Sequence, residues 1–244
     1  MTATFTHPPH PSSLKAKDTQ TMPSDPTPEA SAERDPHTIP SFELKEHKVP
    51  VLYLPPLLSS LPERIPPHNL PKEYPPLVTE TRLPDIDPAS LSLHKALHHF
   101  KPVTPDYAEA PYGEAFNWAE LELPEDEERE WYCVAFKSQR KAGSNGDALY
   151  EADKHAHEEA VHNGGLILYW YGIPNPQTGM NLATCIWQSR KHAVAANSRP
   201  HHIKAMRLAA QSYEVYELGR YVLRKSKGEK HVAIEPYDGG EVGW

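Results

Sequence analysis

Between Arg190 and Arg207 the chain gathers Arg190, Lys191, Arg199, Lys204 and Arg207, together with His192, His201 and His202, and no acidic residue. Cationic side chains hold carboxylates, phosphates or enolates, while histidine exchanges a proton near neutral pH. Pro200 stands where a helix can start, and a helix start aims free amides and the positive end of its dipole at an anion. Upstream, Trp170, Tyr171 and Trp187 offer aromatic faces. An enzymatic reading makes His192 and His202 the catalytic proton carriers. Trp170, Tyr171 and Trp187 then wall in an aromatic ring, and Arg190, Arg199 and Arg207 hold an acidic group. The plainer reading makes the aromatics core and the cations a solvated face or partners for acidic residues elsewhere in the chain.

Fifteen histidines raise the question of a metal. In HEEAVH, residues 157–162, the two histidines stand five apart, so they leave a helix on different sides and miss the i, i+4 spacing of a zinc pair. His94 and His98 have that spacing but no carboxylate or thiolate close in sequence. A haem iron needs one axial histidine, a role for His192 or His202 only if turned inward. The glycine pairs Gly164-Gly165 and Gly239-Gly240 lack the spacing of a phosphate loop or dinucleotide fingerprint, and there is no nucleophile elbow. The expectation is a site with no metal and no cofactor, in a chain that is not a hydrolase, kinase or dehydrogenase of familiar type. A small anionic or aromatic molecule is the expected ligand. Nucleic acid is not, since the chain carries a net charge of −8 and no signature for it.

The elements that must position these residues can be read from residue 129 onward. WYCVAF (131–136), LILYWYG (166–172), LATCIWQ (182–188) and VYELGRYVLRK (215–225) are rich in aromatic and β-branched residues and predict four strands. Leu149, Ala152, Ala156 and Ala160 form the small-residue face of a helix that Asn163-Gly164-Gly165 ends. Ser189 caps a second helix, broken at Asn197-Ser198-Arg199 and restarted at Pro200, with Ile203, Met206, Ala210 and Tyr213 as one apolar stripe. The order βαββαβ is the split βαβ arrangement of a ferredoxin-like α+β domain over residues 129–227, an antiparallel sheet with two helices on one face. The first and third strands are then central neighbours. Cys133 and Cys185 lie on them, as buried unpaired thiols.

The first half of the chain is unlike the second. Of 27 prolines, 22 fall in residues 1–111. Residues 1–128 hold 10 Lys and Arg against 21 Asp and Glu, whereas residues 129–244 hold 15 against 12, so an acidic arm precedes a mildly basic body. Residues 1–40 carry almost no large apolar side chains and are expected to be disordered. Residues 41–128 carry enough aliphatic surface to wrap an existing face, with one short helix that Asp87 caps and Pro88 begins. Residues 228–244 read as a tail. No apolar run is long enough to cross a membrane and the stretch MTATFTHPPHPSS lacks the apolar core of a secretory signal, so cytoplasm, or the nucleus, is the expected location. One face of the sheet has no cover within the domain. Either a second copy covers it, giving a homodimer, or the arm does.

The segment LATCIWQSRKHAVAANSRPHH, with a strand ending in Trp187 and then Ser189, His192, Ala196, Pro200 and His202, resembles the third strand and broken helix of antibiotic-biosynthesis monooxygenase-like proteins. Those are dimeric α/β-barrels. YEADKHAHEEAVHNGGLILYWYG and RPHHIKAMRLAAQSYEVYELGRYVL also resemble an uncharacterised family of fungal proteins of unknown function. The resemblance covers about residues 130–225. It implies a small-molecule or partner-binding ferredoxin-like protein, or alternatively a cofactor-free oxygenase or cyclase acting on an aromatic or polyketide-like organic acid.

Overall fold

Trp131, Cys133 and Ala135 lie in one hydrophobic cluster while Tyr132 and Val134 lie in another, and all five are buried. Successive side chains of a strand leave opposite faces, so this strand runs between two cores. Its uninterrupted apolar run is the signature of a strand covered on both sides. The computed structural model describes Pro36 and residues 49–55, 87–144 and 146–243, all within the compact unit Asp35–Trp244. The expected disorder of residues 1–40 and the expected wrapping by residues 56–86 concern segments that, Pro36 apart, lie outside the described residues.

In chain order the described elements are β1 (Val51–Tyr53), α1 (Pro88–Ala96), α2 (Tyr112–Ala115), β2 (Arg129–Arg140), α3 (Gly146–Asn163), β3 (Leu166–Tyr171) and β4 (Met180–Trp187). Then come α4 (Arg190–Asn197), α5 (Pro200–Ser212), β5 (Tyr213–Lys225) and β6 (Val232–Pro236). The strands form one antiparallel sheet in the order β1-β3-β4-β2-β5-β6. The inner four reproduce the ferredoxin-like order. One strand is added at each edge. β6 comes from the stretch expected to be a tail, where Val232 and Ile234 give it an apolar side against β5. Val134 pairs with Cys185 and Cys133 with Ile186, so the two thiols stand on adjacent strands but face opposite cores.

The cover of the second face is the arm. Leu93 and Leu97, then Phe100, Tyr107, Tyr112, Phe116 and Trp118, pack on Trp131, Cys133, Ile167, Trp170, Ile186 and Leu223. Asp87 seats α1 on the sheet. It caps the helix at Ser90 N (2.8 Å), accepts from Ser90 Oγ (2.7 Å) and pairs with the buried Arg129 guanidinium at 3.3 Å. Of the two covers expected for this face, a second copy or the arm, the structure shows the arm: residues 87–123 of the same chain lie on it.

On the other face Ala160 of α3 and Ala193 and Ala196 of α4 lie on Tyr132, Val134, Cys185, Trp187 and Val222. The caps form as the sequence predicts, with Ser189 accepting from His192 N and Pro200 opening α5. The predicted α5 stripe is only partly covered. Met206 and Ala210 are exposed and Ile203 half-buried, while Ala209 and Ser212 are the buried positions, because α5 leans chiefly on α3 rather than on the sheet.

Candidate functional site

The residues expected to share one site are dispersed. Trp170 and Tyr171 are consecutive in β3 and leave opposite faces. Trp170 is core on the arm side, edge-on to Tyr107 at 5.2 Å and to Phe116 at 4.8 Å. Trp187 is core on the helix side, its indole N–H donated to Cys185 Sγ at 3.0 Å. The cations also diverge. Arg190 reaches Glu241 at 3.8 Å and lies over the Tyr237 ring, Arg199 feels Glu159 of α3, and Arg207 is exposed. Their acidic partners thus come from α3 and the chain end rather than from the arm.

His192 is buried, with Nδ1 2.8 Å from Ser189 Oγ. Its ring fills the space beside Gly165, where φ is +80° and a Cβ would lie 2.3 Å from the imidazole. That position thus needs glycine both for its backbone and for the ring. Burial first, and the charge of Arg129 second, push the imidazole down to about 4, so it is neutral at physiological pH. His202 is half-buried at the start of α5, where its backbone N–H donates to Glu159 Oε2 at 3.0 Å. Its ring is also pushed toward the neutral form by burial. No hydrogen bond or ring contact joins the two histidines among the described residues. Of the HEEAVH pair, His157 is sealed between Tyr53 (5.0 Å) and Tyr169 (4.6 Å), and burial lowers it to about 3. His162 bonds to the Glu158 carbonyl. No group of three or more metal-ligating side chains clusters among the described residues.

The constellation that the fold does assemble is one that sequence reasoning missed. Asp153 of α3 sits half-buried against the helix side of the sheet. Desolvation raises its carboxyl to about 6, and the Tyr169 hydroxyl, which donates to it, opposes that rise. Tyr169 belongs to β3, and its own hydroxyl is held protonated by burial and by the Asp153 charge. Tyr216 of β5 is raised by the same two causes. Around them lie Tyr213, stacked on Tyr216 at 5.6 Å and 14°, Phe136 of β2 at 6.5 Å from Tyr216, and Tyr171 at 5.7 Å from Tyr169. Tyr171 is the one predicted ligand residue beside this cluster. Tyr216 and Leu218, two positions apart on β5, expose 41% and 39% of their surface, so aromatic and aliphatic area remains uncovered on this side of the strand. A carboxyl that titrates near neutrality beside phenol donors and apolar surface can accept a proton from a bound molecule. Cys185, pushed up to about 12 by burial, is a packed thiol and not a nucleophile. The available sequence signal was Asp153 itself, a carboxylate one position after Ala152 on the small-residue side of α3.

The model of the PB2B2.08-like family matches residues 73–236. The chain belongs to that family. A fission yeast relative, UPF0643 protein PB2B2.08 of Schizosaccharomyces pombe, is 34% identical over 137 residues, which span 50% of this chain and 62% of the relative. The chain thus matches less than two thirds of that relative's length. Among solved structures, SnoaB, a cofactor-independent oxygenase from Streptomyces nogalater, is similar at 10% identity and a TM-score of 0.33, covering 41% of this chain and 99% of SnoaB. A candidate antibiotic biosynthesis monooxygenase of Nitrosomonas europaea is similar at 15% identity and a TM-score of 0.32, covering 37% and 94%. The α+β, ferredoxin-like architecture stands on the strand order of the chain itself. No helix among the described residues is long and apolar enough to cross a membrane.

Proposed function

We propose that this protein binds a small planar hydroxyaromatic molecule on the helix side of its sheet and exchanges a proton with it through Asp153. The observation that carries the reading is the Asp153–Tyr169 pair, a carboxyl near neutrality set among Tyr213, Tyr216 and Phe136. The rings offer stacking surface and the ionised carboxylate accepts the ligand's hydroxyl. A carboxylate at the centre selects a phenol over an aromatic acid, because a second anion beside Asp153 raises the cost of burying either. His192, Trp187 and the three arginines take no direct part. Proton removal from a bound phenol is also the opening step open to a cofactor-free oxygenase, so the enzymatic alternative shares this site. Since the chain covers its own sheet, no second subunit is required.

The test is calorimetric titration of 1-naphthol into the full chain at several pH values from 5 to 8. Saturable binding that strengthens as pH rises through about 6, and loses that dependence in Asp153→Asn, is the expected result. Tyr216→Ala should weaken binding at every pH. Equal binding by the wild type and Asp153→Asn throughout, or no saturable binding at all, overturns the proposal.

A further inference from the structure

On the arm side of the sheet, away from Asp153, the cover is incomplete. Between residues 111–113 of the arm and strands β2, β5 and β6 lies a cleft of about 430 Å³. Small-molecule sites commonly measure about 300–1,000 Å³. The cleft exists because its floor is made of small residues: Ala135 and Gly219, partners across β2 and β5. A Cβ on Gly219 would lie 2.7 Å from the Tyr221 ring, so a side chain there displaces the wall. That wall is aromatic. The rings of Tyr112 and Tyr221 lie 4.3 Å apart at 34°.

The same cleft carries one cation and one anion. Lys137 and Glu217 stand directly opposite each other in the β2–β5 register, and opposite charges so placed normally pair. Here the Lys137 ammonium donates to the Ala110 carbonyl at 2.6 Å. Glu217 is exposed and makes no ion pair among the described residues. The lysine keeps two of its three donors, and the glutamate keeps all its acceptor capacity. The arm thus holds apart two charges that the sheet sets side by side.

We propose that this cleft binds a zwitterion with an aromatic side chain, of the aromatic amino acid class. The ligand's carboxylate meets Lys137, its ammonium meets Glu217, and its ring lies against Tyr112 and Tyr221 above Ala135 and Gly219. A ligand with one charge satisfies one partner and meets a like charge on the other. A zwitterion satisfies both, so the cleft discriminates by charge pattern as well as by shape.

Calorimetric titration of the full chain at pH 7 with L-phenylalanine tests this, with phenethylamine and 3-phenylpropionate as single-charge comparators. Phenylalanine is expected to bind saturably and about tenfold or more tightly than either comparator, a difference of about 1.4 kcal/mol. Lys137→Met should erase its advantage over phenethylamine, and Glu217→Gln its advantage over 3-phenylpropionate. Ala135→Leu should abolish binding by filling the floor. The two charge variants lie at the mouth of the cleft and keep the test decisive should Ala135→Leu fold poorly. Absence of saturable phenylalanine binding at millimolar concentration, equal binding of all three compounds, or binding unchanged in both charge variants overturns the proposal.

Discussion

The indole N–H of Trp131 donates to Ser90 Oγ at 2.8 Å, and both residues are fully enclosed. Trp131 is in the central strand β2 and Ser90 in the first turn of α1, so one hydrogen bond joins the middle of the sheet to the arm. The Ser90 hydroxyl in turn donates a hydrogen bond to Asp87, whose carboxylate also holds Arg129. The arm is therefore seated by a buried polar chain as well as by leucines. Such a chain stabilises strongly only when every member is satisfied.

Ser90→Ala should accordingly cost about 1–3 kcal/mol in urea denaturation, because it leaves the Trp131 N–H buried without an acceptor. Trp131→Phe removes the donor and some volume. In the double variant the orphaned donor is gone, so the two losses should add to more than the double loss, with a coupling of about 1 kcal/mol. Strict additivity would mean that the bond does not hold α1 to the sheet.

The caps of α1, α4 and α5 were legible because each is local chemistry: Asp87 before Pro88, Ser189 before Arg190, and Pro200 at a restart. The four core strands were legible from aromatic and β-branched runs. β1 escaped because a strand of three residues, Val51–Tyr53, is too short to show a period, and β6 because its five residues, Val232–Pro236, are few and end in proline. The candidate site was less legible, for two different reasons. That Trp170 and Tyr171 could not line one pocket was available from the strand period of two. The surroundings of Asp153 were not, since a carboxylate on a helix reads as solvated until the fold brings Tyr169 and Tyr216 from two strands against it.

Leu97 is fully buried at the end of α1 and touches the sheet through the same core as Trp131 and Trp170. The wild-type chain should sediment as a monomer, because its apolar sheet face is already covered. Leu97→Asp places a charge in that core and should release the arm, exposing several aromatic side chains and driving association. Sedimentation velocity with far-UV circular dichroism reads both the association and the surviving sheet. The milder Leu97→Ala should cost about 2–5 kcal/mol and serves if the aspartate variant does not fold. A wild-type dimer, or a Leu97→Asp variant that stays monomeric with unchanged stability, would show that the arm does not replace a second copy.

Stability should rise with pH between about 4 and 6.5, and three substitutions should change that slope in predictable directions. His157 and His192 are lowered to about 3 and about 4 in the folded chain, against about 6.5 when unfolded. Between those limits the unfolded chain binds more protons, so each histidine contributes stability that is present above about 6.5 and lost as pH falls toward its folded value. Each adds a slope of about 1.4 kcal/mol per pH unit. Asp153 acts in the opposite sense. Raised to about 6 when folded, it binds its proton more tightly there than in the unfolded chain, and its contribution is lost as pH rises toward 6. Two histidines against one aspartate leave a positive slope. Substituting either histidine by glutamine should flatten it whatever the variant loses in overall stability, while Asp153→Asn should steepen it. Urea denaturation midpoints at half-unit steps from pH 4.5 to 7 measure all four slopes on one scale. An unchanged slope in His192→Gln would mean that this imidazole takes up its proton as readily in the folded chain as in the unfolded one, and an unchanged slope in Asp153→Asn would remove the raised carboxyl on which the proposed site depends.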